Sequence, residues 1–100
     1  MKKSILYGAV DFMDMELKYY IISEDISEEF CDLESYGVKI TKIQCSEGGG
    51  KIKESKEINN VFYRREDVEK FVKLLMDNYV TPIALVEVVE DYIVDYFMVR

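Results

Sequence analysis

The chain has 100 residues, 49% of them apolar and 33% charged, with a formal net charge of −7. This is a globular composition, too hydrophobic for disorder and long enough for a core without metal or disulfide staples. It has no histidine and no tryptophan, so the commonest general base is missing and Ser-His-Asp or Cys-His sites within this chain are excluded.

Charge is unevenly spread. Residues 1–38 carry a net −6, residues 39–65 a net +4 and residues 66–100 a net −5. A basic island thus lies between two acidic stretches, which bears on partners more than on fold. The two cysteines, Cys31 and Cys45, are too few for a disulfide framework and read as reduced thiols, with a redox pair as the alternative. Met1-Lys2-Lys3 and the apolar run behind it resemble a leader faintly. Asp11 and Asp14 interrupt that run and no A-x-A site follows. No stretch approaches the ~20 apolar residues that span a bilayer. The expectation is a cytoplasmic chain without a membrane segment.

Residues 4–13 read as an edge strand or an ordered arm. Residues 15–23 alternate with period two, with Met15, Leu17, Tyr19 and Ile21 on one face and Glu16, Lys18, Tyr20 and Ile22 on the other. Over 24–35, Ile26, Phe30 and Leu33 fall at i, i+4, i+7, and Asp25 with Glu28 resembles a capping box. A short helix and a loop anchored by those three side chains fit equally. Gly37 then suits a left-handed or tight position. Residues 38–45 form a strand whose apolar phase slips near Thr41-Lys42, which predicts a bulge there. Gly48-Gly49-Gly50 supplies the positive φ values of a turn. The returning strand, about 51–58, has only Ile52 and Ile58 as apolar residues and reads as an edge guarded by Lys and Glu.

Helical spacing follows. From about Arg65 to Asn78, the residues Val68, Phe71, Val72, Leu75 and Tyr79 line one stripe. Glu66/Lys70 and Glu69/Lys73 are expected i,i+4 pairs. Thr81 as N-cap and Pro82 at the first helical position open a second helix that runs to about Phe97. Its apolar half holds Leu85, Val86, Val88, Val89, Tyr92, Ile93, Tyr96 and Phe97. Glu87, Glu90, Asp91 and Asp95 occupy the opposite arc. The fold class is α+β: an antiparallel three- to four-stranded sheet followed by two C-terminal helices packed on one face. A single domain over 1–100 is expected, with an arm or edge strand at 1–14, a β-meander at 15–58 and a helical pair at 65–97.

The chemistry-bearing patterns each have a plain alternative. Glu47-Gly48-Gly49-Gly50-Lys51 invites a phosphate-loop reading, yet Ile52 follows the lysine and a strand follows the glycines, so a hairpin turn fits better. The carboxylates of the last helix could hold a hard cation, but one helix supplies few ligands and no EF-hand loop exists. A solvated helix face fits them better, and use of the same residues to dock a basic partner fits either reading. Lys39, Lys42, Lys51, Lys53, Lys56, Arg64 and Arg65 could touch phosphates, although alternation separates Lys51 and Lys53 from Lys56. Tyr20 and Ile22 mark an apolar spot on the face away from the helices. Residues 4–13 cover it, or it serves self-association.

Tyr36-Gly37-Val38-Lys39-Ile40, and Thr81-Pro82 followed by Leu85 and Val88-Val89-Glu90-Asp91-Tyr92-Ile93, carry a resemblance. Over about residues 15–95 the chain resembles a family of small uncharacterised proteins of clostridial-type bacteria classed as a domain of unknown function. The N-terminal arm and the Lys-rich returning strand lie outside that pattern. The resemblance implies no activity, cofactor or partner.

The function that follows is a non-enzymatic protein-interaction or regulatory module, with no cofactor, no metal and no catalytic residue nominated. Its partner is another protein or a second copy. The interaction residues are Glu87, Glu90, Asp91, Asp95, Lys51, Lys53, Lys56, Tyr20 and Ile22. The first alternative is a nucleic-acid or phosphate-ligand binder using the basic hairpin 39–56. The second is a metal-dependent enzyme using the helix carboxylates.

Overall fold

Period-two alternation gives way to a 3.6-residue period near residue 65, and the architecture follows that change. A computed structural model describes residues 2–28 and 31–98, with side chains for 2–25 and 34–93. Four strands come first: β1 (Lys2–Phe12), β2 (Met15–Glu28), β3 (Cys31–Cys45) and β4 (Lys51–Phe62). Two helices follow, α1 (Arg65–Asp77) and α2 (Leu85–Met98). The strands form one antiparallel sheet in the order β1-β2-β3-β4. The fold is α+β, and residues 4–13 belong to an edge strand. No described helix is long and apolar enough to cross a membrane.

The register assigns the faces. Leu17, Tyr19 and Ile21 lie opposite Lys42, Ile40 and Val38, so these side chains share one face. Val38 and Ile40 lie opposite Ile58 and Lys56 on β4. This face meets the helices. Leu17, Tyr19, Val38, Ile40, Val68, Phe71, Val72, Leu75 and Leu85 are fully buried in one cluster. Phe62, Phe71 and Tyr92 add an aromatic group with centroids 4.6 to 6.0 Å apart, a spacing that favours tilted and edge-on packing.

Several expectations are corrected. Residues 24–28 and 31–35 are strand and not helix, while residues 29–30 lie outside the described residues. The β2–β3 pairing continues through Asp25–Glu34, Ile26–Leu33, Ser27–Asp32 and Glu28–Cys31. Ile26 and Leu33 satisfy the helical spacing and are also cross-strand partners, and extension of the ladder decides between the two patterns. The side chains of Ile26, Phe30, Cys31 and Leu33 lie outside the described residues.

Gly37 does occupy a tight position, but without a left-handed φ. It sits buried within β3, beside the irregularity between Tyr36 and Val38. A Cβ there would overlap the Ile58 carbonyl oxygen and stand 2.8 Å from Asn59 Cα. Glycine is needed because the β4 backbone approaches so closely. The β4 side of this irregularity contains Asn60 at φ 58, and its Oδ1 accepts a hydrogen bond from Ser35 Oγ.

The bulge expected near Thr41-Lys42 is absent, since the register runs unbroken from Val38 to Cys45. The apolar phase slips because a lysine takes the helix-side position after Ile40. Lys42 lies there opposite the fully buried Leu17, its side chain 11% exposed and its ammonium 3.4 Å from Glu54.

The last helix begins later than Thr81-Pro82. Those residues form a turn in which the N–H groups of Ala84 and Leu85 donate to the carbonyls of Thr81 and Pro82. Regular helix starts at Leu85. Val86 is exposed instead of lying on the buried half, and Tyr96 and Phe97 have side chains outside the described residues. Tyr79 also leaves its stripe. At φ 51 it turns out of α1 after Asn78 and stacks on Phe12 at 4.6 Å. The ion pairs along α1 are Arg65–Glu69 and Lys73–Asp77, not Glu66/Lys70 and Glu69/Lys73.

The Tyr19 hydroxyl donates to the Val80 carbonyl at 2.9 Å, tying the sheet to the segment between the helices. Burial, with Tyr79 adding, pushes this phenol from 10.0 up to about 12. The neutral form is favoured by folding, so its contribution is complete below pH 10 and is lost as pH rises toward 12. Tyr19→Phe is expected to flatten the decline in stability over that interval, as measured by urea unfolding at stepped alkaline pH. Gly37→Ala is expected to destabilise by about 1–3 kcal/mol or more, because backbone must move. Gly8→Ala meets only the flexible Met76 side chain, with Sδ at 2.6 Å. It is expected to cost clearly less in the same denaturation assay.

Candidate interaction surfaces

The face away from the helices carries Tyr20 and Ile22, and their surroundings follow from register. Ile22 lies between Ser4 on β1 and Gly37 on β3. It is buried at 2% exposure, and Tyr20 is half-buried. Lys2 on β1 donates to the Glu57 carboxylate on β4, so this ion pair joins the two outermost strands. Lys2 lies opposite Glu24, and Glu57 lies opposite Lys39, itself opposite Tyr20. The pair therefore runs diagonally over the Ser4–Ile22–Gly37 row. The Lys39 ammonium stands 5.7 Å from the Tyr20 ring centroid, a cation–π distance. Ile22 offers no open apolar surface. β1 lies beside β2 in the sheet and not across it.

The basic island does not form one surface. Lys51 and Lys53 lie opposite Cys45 and Ile43, on the face away from the helices, and both are exposed. Lys56 is exposed on the helix side. There it lines a hollow of about 410 Å³ with Glu54, Pro82, Ile83 and Val86. Lys42 is turned inward onto Glu54. Lys51 shares another open hollow, about 480 Å³, with Asp11, Asp14, Glu16 and Cys45. Its charge thus stands among carboxylates.

The glycine-rich stretch is a hairpin turn. The Gly49 N–H donates to the Ser46 carbonyl, and the Ser46 N–H and hydroxyl both donate to the Gly50 carbonyl. Of the three glycines only Gly49 has a positive φ, 83°. A phosphate loop needs its N–H groups free and a helix behind it. Here the Ser46 and Gly49 N–H groups close the turn and β4 follows.

The carboxylates of α2 keep together. Glu87, Glu90 and Asp91 are all exposed, while Leu85 and Val89 from the same helix are in the core. The side chain of Asp95 lies outside the described residues. Among the described residues no group of three acidic or cysteine side chains is placed to hold a metal ion.

The outer edge of β1 was not nominated from sequence. Ile5, Leu6 and Tyr7 are exposed there, and Phe12 and Met13 continue the patch at its end. A signal was present: Ser4 to Val10 carries no charge, whereas β4 places Lys51, Lys53, Glu54, Lys56 and Glu57 along the opposite edge. Tyr7 is the extra residue of a bulge between Leu6 and Gly8. It stands over Glu66, Glu69, Lys70 and Lys73 of α1.

Residues 7–95 match the model of a family described as a family of unknown function, DUF6514. The chain belongs to this family. Its span takes in Tyr7–Phe12 of β1 and the whole of β4, both of which the resemblance drawn from residues 15–95 had left out. Glu87, Glu90, Asp91, Lys51, Lys53 and Lys56 all lie within the DUF6514 span, while Lys2 precedes it. No curated protein matches the chain, and no solved structure does.

The hydrogen bond from Lys2 holds the Glu57 carboxyl below the usual carboxylate range, against the opposing effect of burial. Its stabilisation is present at neutral pH and is lost as pH falls through the lowered value. Both side chains are partly exposed, so Glu57→Gln is expected to cost less than about 1 kcal/mol at pH 7. Wild type and variant should converge at a pH acid enough to neutralise Glu57. Parallel urea titrations at the two pH values check this.

Proposed function

We propose that the chain is a non-enzymatic protein-interaction or regulatory module that docks a basic partner on the carboxylates of α2. The observation that carries this reading is the division of that helix. Leu85 and Val89 are committed to the core, and Glu87, Glu90 and Asp91 stay in solvent. A helix with one half sealed internally offers its other half to a partner. Asp95 extends the same arc by helical spacing. Carboxylates so placed speed encounter with a basic surface and select against acidic ones. Lys51 stands among Asp11, Asp14 and Glu16, so the hairpin lysines contribute less to docking than the α2 carboxylates. A cytoplasmic setting belongs to this reading, since two cysteines are too few for a disulfide framework.

The test is affinity capture from the native host with mass spectrometry, using wild type and a Glu87→Lys/Glu90→Lys/Asp91→Lys variant. A specific protein retained by wild type should fall at least tenfold with the variant. Raising the salt should weaken its retention, because exposed charges are screened. An identical set of proteins retained by both forms overturns the assignment to α2.

A further inference from the structure

We propose that β1 pairs with β1 of a second copy, antiparallel and edge to edge, so that the two four-stranded sheets become one eight-stranded sheet. β1 is at the end of the sheet order, so its outward N–H and C=O groups have no strand beside them. Proteins usually guard such an edge with charge, proline or a covering element. β4 follows that rule with five charged residues, whereas β1 exposes Ile5, Leu6 and Tyr7 in an uncharged stretch.

Charge selects the occupant. β1 is basic at one end, Lys2-Lys3, and acidic at the other, with Asp11 in the strand and Asp14 just beyond it. An antiparallel two-fold near Tyr7 lays the basic end of each copy beside the acidic end of the other, and does so twice. Lys2 and Asp11 are both exposed. Parallel pairing would place like charges together.

The faces also agree. In the sheet, Lys2 and Asp11 lie opposite Glu24 and Glu16, and Ser4 and Ala9 lie opposite Ile22 and Lys18. All four therefore point away from the helices. Setting Lys2 opposite Asp11 of the second copy sets Ser4 opposite Ala9, Lys3 opposite Val10 and Ile5 opposite Gly8, each pair on one face. The bulge at Tyr7 then falls on the two-fold axis, where Leu6 and Tyr7 of both copies gather. Residues 2–5 of each copy pair with residues 8–11 of the other, as two regular segments on either side.

Sedimentation equilibrium at tens of micromolar tests this. Wild type should run at twice its 11.8 kDa chain mass. Leu6→Lys, at an already exposed position, should be monomeric with unchanged circular dichroism. Lys2→Glu and Asp11→Lys should each weaken the dimer about tenfold, because each homodimer now sets like charges opposite each other. Mixing those two variants should restore it, because both ends regain opposite charges. Loss of α2 capture leaves all of this unchanged, so the two readings fail separately. A wild type that stays monomeric at 100 µM overturns the pairing and leaves the edge to a strand of another protein. A dimer indifferent to Leu6→Lys, or a mixture no tighter than its components, overturns it as well.

Discussion

Val68, Phe71, Val72 and Leu75 of α1 lie fully buried in one cluster with Leu17, Tyr19, Val38 and Ile40 of the central strands, and this contact holds the two layers together. Each such side chain contributes about 1.5–3 kcal/mol on burial, against a typical net stability of about 5–15 kcal/mol. The sheet buries its apolar face against α1, and Phe71 of that helix also packs on Tyr92 of α2. α2 joins through Leu85 and Val89, and Tyr19 reaches past the core to hold the Val80 carbonyl.

Covering one face only leaves three other surfaces to be managed by different means. On the far face, Ile22 is enclosed beneath polar side chains. Lys2 and Glu57 meet across two strands there, and the stems of long charged residues can shield apolar surface while their ends stay wet. At one edge, β4 relies on alternating Lys and Glu. At the other, β1 keeps an apolar stretch between oppositely charged ends. The acidic arc of α2 is the counterpart of this economy in the helical layer, because sealing Leu85 and Val89 fixes which way Glu87, Glu90 and Asp91 point.

Much of the fold was legible because each half of the chain has one dominant period. Leu17, Tyr19 and Ile21 alternate cleanly, and Val68, Phe71, Val72 and Leu75 repeat at helical spacing. The separation of Lys56 from Lys51 and Lys53 was legible for the same reason. Ile26 and Leu33 were ambiguous, since residues seven apart share a helix face and can also face each other across two paired strands. Gly37 carried no local mark of its role, because the atom that requires it belongs to Ile58, 21 positions later in the chain. The Lys42 phase change suggested a bulge because the partner that accommodates this lysine, Glu54, is set opposite it only by the β3–β4 pairing.

Local periodicity by itself determined the strand-then-helix order, the core stripe of α1 and the wet carboxylates of α2, since those depend on neighbours within a few residues. The tertiary structure alone decided how far the β2–β3 ladder extends, what encloses Ile22 and which edge of the sheet is left unguarded. Each of these depends on groups far apart in sequence, such as Lys2 and Glu57, that meet only once the sheet has formed.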